Sequence, residues 1–181
     1  MDAAFQRRFD KTMALFDDAT PIEIGANAPA AFRWYHDGFY REMFYGGVVD
    51  TLTMELLRYR LAHEHGCAYC QLADAPAARD AGLTEAQLDR IMDEDDPGFD
   101  DRQRAVLTFA KQMALPTMDG ELSPELYDRL RRHFDDGQIY HLAMCAAVLT
   151  GVAKMLFVLD LVEKTAACPV RLPRSLPQAA E

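Results

Sequence analysis

The chain has 181 residues, half of them hydrophobic, and carries a formal net charge of −10. A length of this order supports one buried core, so a single globular domain is expected. The acidic balance excludes a broad nucleic-acid footprint, because phosphate contacts need clustered Lys and Arg and the basic residues here are scattered among acids. The first residues lack the apolar run of a secretory signal, and no stretch is expected to reach the length and apolarity of a membrane span, the nearest being 142–159 with Lys154 inside it. Four cysteines, only two of them close together, do not make a secreted disulfide framework, so a cytoplasmic protein is expected.

Nearly every segment repeats at helical period. Phe5, Phe9, Met13 and Phe16 form an apolar stripe that predicts a first helix over 3–16, ended by Asp17, Asp18 and Pro21. An irregular stretch follows, with a short strand at 22–24. Asn27 and Pro29 then open a second helix, whose Phe32, Tyr35, Phe39, Met43 and Phe44 line one side and which Gly46 and Gly47 stop. Asp50 caps a third helix running to about 65, with Met54, Leu57 and Leu61 on one face and Gly66 as its C-terminal residue. A fourth starts at Cys67 and ends near Gly82. Thr84 with Gln87 makes a capping box, flanked by Leu83 and Leu88, for a short fifth helix to about Met92. The acidic run 93–96 is a solvated turn before Pro97 and Gly98. A sixth helix covers 101–114, a seventh starts with Ser123 as cap and Pro124 in its first turn, and the last covers 136–163. Pro169, Pro173 and Pro177 leave an extended tail over 167–181. The fold class is all-α, one helical-bundle domain over 1–166 with its catalytic core at about 30–165.

The chemistry centres on Cys67 and Cys70 within His63-Glu64-His65-Gly66-Cys67-Ala68-Tyr69-Cys70. Two thiols three residues apart at a helix start share one face and can cycle between a dithiol and a disulfide. The unpaired amides and dipole of that first turn favour the thiolate, which is the reactive form. His63 and His65 end the preceding helix, where the dipole favours a protonated ring that would stabilise a nearby thiolate. Glu55 lies on that same helix, with Arg58 as a neighbour for an ion pair, and a return of the chain at Gly66 would bring the helix faces together. Asp74 stands one turn after Cys70, where a carboxylate opposes ionisation of the sulfur.

These residues carry a resemblance. Glu55, then Gly66-Cys67-Ala68-Tyr69-Cys70, then Gly82-Leu83-Thr84-Glu85 resemble the alkylhydroperoxidase D branch of the carboxymuconolactone decarboxylase-like family. Phe39-Tyr40-Arg41-Glu42-Met43-Phe44-Tyr45-Gly46-Gly47 is similar to the segment before the catalytic helix in peroxidase-related members, so the likeness covers about 30–165. The resemblance implies an all-helical subunit in a homo-oligomer (trimer, hexamer or dimer). It also implies a peroxidase for hydrogen peroxide or organic hydroperoxides that binds no cofactor and takes electrons from an external dithiol such as a lipoyl group on a donor protein. By the same resemblance Cys70 is the peroxide-attacking thiol, Cys67 the resolving one and Glu55 the base. Asp74 stands where the family's relay histidine would stand, so either Asp74 serves as a relay carboxylate or His63 or His65 takes the imidazole's role.

Other assignments compete. His63, His65, Cys67 and Cys70 could supply four zinc ligands, although the compact order lacks separated ligand pairs. A redox-responsive or small-ligand-binding protein would use the same disulfide as a switch, and a lactone decarboxylase would have no evident use for a dithiol. Cys145 is expected in the core and Cys168 as a free thiol in the tail, neither with a close partner. The aromatic residues over 32–45, including Trp34 and Tyr45, are expected to serve core or subunit contact before any substrate pocket.

Overall fold

A computed structural model describes residues 3–170, and every named secondary-structure element among them is a helix. In chain order the elements are α1 (Ala3–Phe16), α2 (Thr20–Ala26), α3 (Pro29–Arg33), a π-helix π1 (Trp34–Phe44), α4 (Thr51–Glu64), α5 (Ala68–Asp80), α6 (Glu85–Asp89), α7 (Asp101–Met113), α8 (Pro124–Arg131) and α9 (Asp136–Val158). Their starts follow the local chemistry. Asp50, Thr84, Asp100, Ser123 and Asp135 each accept a hydrogen bond from a first-turn amide, and Gln87, Gln103 and Gln138 complete reciprocal capping boxes. Such a cap contributes about 1 kcal/mol.

Helix α4 is the axis of the fold. Every residue from 53 to 62 is buried, because α5, α7 and α9 pack around it. With no solvent face, its charged side chains must find partners inside. Arg60 is fully buried and donates to the Ile91 carbonyl (2.6 Å), to Glu64 (2.8 Å) and to Glu94 (3.0 Å). Glu94 also accepts from Lys111 (3.2 Å). The acidic run is therefore not simply a solvated turn: Glu94 neutralises a core arginine and ties the turn to α4. A smaller core joins α1 to α3, where Phe5 stacks on Phe32 (4.1 Å between centroids) beside Ile22.

Four expectations are corrected. Residues 22–24 are helical, because Asp18 accepts hydrogen bonds from the Thr20 amide (2.8 Å) and hydroxyl (2.6 Å), so Pro21 sits in the first turn of α2 and starts a helix instead of breaking one. The segment read as a uniform second helix is a short α-helix followed by eleven residues of π-helix. The last helix ends at Val158, after which Asp160 adopts φ of 55° and the chain turns back. Finally, α9 is long and apolar enough, by length and composition, to cross a membrane, although Leu142, Cys145, Ala146 and Phe157 on it pack into the core. Pro173 and Pro177 lie outside the described residues.

Candidate functional site

Gly66 turns α4 into α5. Its φ of +64° is the left-handed region that glycine adopts without penalty, and a Cβ there would lie 2.4 Å from the Cys168 nitrogen. The returning segment is fastened on the other side of this turn, where the Thr165 amide donates to the Gly66 carbonyl (2.8 Å) and Lys164 pairs with Cys67 in an antiparallel bridge. Cys67 is the N-cap of α5, and its sulfur accepts from the Cys70 amide (3.1 Å). Cys67 and Cys70 are joined in a disulfide, with their Cα atoms 5.2 Å apart. Cys67 is wholly inaccessible, in an apolar cluster with Ala153, Phe157, Val162 and Cys168. Cys70, by contrast, lines a cavity of about 510 Å³ between α2, α3 and π1 on one side and α4, α5 and α9 on the other. The two sulfurs thus differ in access: one faces the cavity and the other is sealed behind it.

The polar wall of this cavity comes from Arg58 of α4, Asp74 of α5 and Tyr35 and Tyr40 of π1, whereas Glu55 does not line it and meets it only through Arg58. Glu55 is 1% exposed and both its oxygens are engaged, Oε1 by the Tyr45 hydroxyl (2.5 Å) and Oε2 by Arg58 Nη2 (2.6 Å). Arg58 Nε lies 3.6 Å from Asp74 Oδ1, and the guanidinium stacks over Tyr40 and Phe44 at 5.6 and 5.3 Å. Burial alone would depress the Arg58 pKa, but Asp74, Tyr40 and Glu55 outweigh it and raise it. Burial pushes the Asp74 carboxyl up to about 6, with Arg58 opposing. Asp74 therefore exchanges a proton close to neutrality, one helical turn from Cys70.

The π-helix explains the tyrosines. Tyr35, Tyr40 and Tyr45 recur at steps of five, close to the longer period of a π-helix, so they form one row. Tyr35 and Tyr40 share a hydrogen bond between hydroxyls (3.3 Å), Tyr40 faces Arg58, and Tyr45 reaches Glu55. Tyr40 and Tyr45 make contacts with Arg58 and Glu55 that an α-helical stripe does not reveal. The signal was in the sequence as tyrosines at i, i+5 and i+10.

The two histidines separate. His65 lines the cavity, and its Nε2 lies 3.2 Å from the Thr150 hydroxyl, which itself donates to the Met113 carbonyl (3.1 Å), so the ring nitrogen is the donor. Burial lowers the His65 pKa to about 4, and burial followed by the charge of Arg60 lowers that of His63. The expectation that the helix dipole would hold these rings protonated is corrected, because desolvation in a buried turn outweighs the dipole. His63 packs edge-on against Tyr59 (4.7 Å) away from the cavity. Among the described residues no three His, Cys, Asp or Glu side chains converge as a metal site. Cys145 lies 3.7 Å from the His141 ring nitrogen and so has a neighbour, and Cys168 is buried against Val170.

Residues 29–112 match the carboxymuconolactone decarboxylase family, a span that holds π1, Glu55, Arg58, both joined cysteines and Asp74. This part of the chain, just under half of it, is similar to the carboxymuconolactone decarboxylase family. That family covers the alkylhydroperoxidase D-like proteins. The chain is also 27% identical over 97 residues to the uncharacterized protein YdfG of Bacillus subtilis (strain 168), across 53% of this chain and 65% of that protein, just under two thirds of its length. No solved structure matches. Helices α1, α2, α8 and α9 lie outside the family span, yet Ile22 of α2 and Leu156 of α9 help wall the cavity.

Proposed function

We propose that the protein is a peroxidase that reduces hydrogen peroxide or organic hydroperoxides through a dithiol–disulfide cycle of Cys67 and Cys70. The reduced Cys70 thiolate attacks the outer oxygen of the hydroperoxide, the O–O bond breaks, and the alkoxide takes up a proton and leaves as alcohol or water. Cys70 is then a sulfenic acid, and condensation with the Cys67 thiol expels water and forms the disulfide. An external dithiol such as a lipoyl group on a donor protein restores both thiols by exchange. The observation that carries this reading is the unequal access of the joined sulfurs: Cys70 is on the cavity wall and Cys67 is sealed behind it.

The other residues take supporting parts. Asp74, with its pKa near 6, supplies and recovers the proton at the position where the family has a histidine. Glu55 holds Arg58 in place through its buried ion pair, and neutral His65 borders the site as a fixed donor to Thr150. A cytoplasmic location, where dithiol donors stay reduced, and a homo-oligomer built on the outer face of α9 complete the proposal.

The test is hydroperoxide consumption by purified, prereduced protein with dihydrolipoamide as donor and thiols counted before and after. Turnover with reversible loss of two thiols, abolished in Cys70→Ser, is expected. Thiol loss without turnover would replace the peroxidase with a redox switch, and normal turnover by Cys70→Ser would sink the assignment of the attacking sulfur.

A further inference from the structure

Two recesses meet at Arg58. One is the apolar cavity that Cys70 lines, and the other is a polar cleft of about 770 Å³ between α1, π1 and α5. Arg58, Tyr40 and Asp74 belong to the walls of both. Arg58 is 9% exposed; Nη2 is engaged by Glu55, while Nε makes no hydrogen bond, its ion-pair partner Asp74 Oδ1 standing 3.6 Å away, beyond hydrogen-bond reach. A buried donor without a hydrogen bond is costly, so this N–H can take an oxygen brought by a ligand between it and Asp74. The cleft also holds a cation to spare. Arg8 is matched by Asp37 (3.2 Å) and Arg41 by Glu42 (3.1 Å), while Lys11 has no ion-pair partner among the described residues and its charge reaches Asp74.

A ligand that satisfies both recesses has an anionic oxygen group at the junction and an apolar body in the cavity. We infer that the joined recesses bind a monocarboxylate amphiphile, its carboxylate between Arg58 and Lys11 and its hydrocarbon chain lying in the cavity past Cys70. The cavity falls within the roughly 300–1,000 Å³ of small-ligand sites and is walled by side chains such as Phe32, Leu149 and Leu156. Glu55 and Asp74 are the opposing charges. Glu55 is already saturated by Tyr45 and Arg58, and Asp74 gives up little in taking a proton and donating it to the incoming carboxylate. Where the peroxidase reading also holds, on which this extension rests, the preferred substrate is a hydroperoxide of a fatty acid, oxidised part-way along the chain where it passes the sulfur.

The experiment is calorimetric titration of the full-length, disulfide-bonded protein with decanoate, decanol and acetate, without peroxide. Decanoate is expected to bind once per chain, with decanol and acetate each at least about tenfold weaker. Lys11→Ala, an exposed position, is expected to weaken decanoate about tenfold and leave decanol unchanged. Equal affinity for decanoate and decanol, indifference to Lys11→Ala, or no decanoate binding would each overturn the inference. Because no turnover is read, decanoate binding without peroxidase activity supports this site while sinking the catalytic reading, and peroxide turnover without decanoate binding does the reverse.

Discussion

At the scale of single residues, the site is a set of charges held out of water by one another. Glu55 and Arg58 are both buried, and removing one partner leaves the other with a charge it cannot hydrate. Glu55→Ala is expected to destabilise the fold by about 3–5 kcal/mol in urea denaturation, against less than about 1 kcal/mol for the same change at exposed Glu42. Asp74 behaves differently because its folded pKa is raised to about 6. Folding therefore favours its neutral form. The stability this form contributes is complete below about pH 4, the ordinary aspartate value, and is lost as pH rises through 6. The shift amounts to about 3 kcal/mol across that window. Asp74→Asn removes the titration, so the stability of the native protein relative to this variant should fall by about that amount between pH 3.5 and 7. A difference that stays flat with pH would show that Asp74 titrates as an ordinary exposed carboxylate.

At the scale of elements, the α4–α5 turn fastens the cysteine segment to the end of the chain. Gly66→Ala meets two obstacles, a left-handed backbone and the Cys168 backbone 2.4 Å from the added carbon, whereas Gly47→Ala meets only the first, with open space around a φ of +83°. The expected loss is about 1–2 kcal/mol at Gly47 and clearly more at Gly66. Native-state alkylation of Cys168 should accelerate only in the Gly66 variant, as residues 164–168 lift from the turn; equal losses and equal labelling would dissociate the segment from the turn. The sequence disclosed this junction well, because helix caps and glycine stops are local chemistry: Asp50, Gly66, Thr84, Ser123 and Gly82 all mark real boundaries. Placing Glu55 beside Arg58 also followed from spacing along α4. What escaped was whatever depends on distant neighbours or on an uncommon period. The π-helical row of tyrosines resembled an α-helical stripe, since Phe32, Tyr35 and Phe39 fit both. The neutral state of His65 depends on burial against α9, and α2 opens at Thr20, which Asp18 holds by two hydrogen bonds, just where Pro21 seemed to break the chain.

At the scale of the molecule, α9 is apolar on more than one side. Leu142, Cys145, Ala146, Leu149 and Phe157 face the core, while Tyr140, Met144, Ala147, Gly151, Met155 and Val158 are exposed along one stripe. Lys154 is the exposed charge beside this stripe, and an outer face otherwise so apolar belongs inside something larger than the subunit that carries the inner face. Ala147 and Gly151, one turn apart, flatten the middle of the stripe, and nothing lies within 4 Å of where a Gly151 Cβ would sit. A flat centre flanked by Met144 and Met155 suits a second copy of the same helix, since one patch then contacts its equivalent across a two-fold axis. Sedimentation of the purified chain is expected to give a multiple of its 20.4 kDa mass, and Gly151→Glu is expected to return it to the monomer with unchanged helical circular dichroism. A native monomer would leave the stripe to another partner, and an oligomer that survives Gly151→Glu would move the interface off α9. Met155 and Leu159 also line the cavity, so the same substitution tests whether assembly closes the site: if it does, hydroperoxide turnover should fall together with oligomer mass.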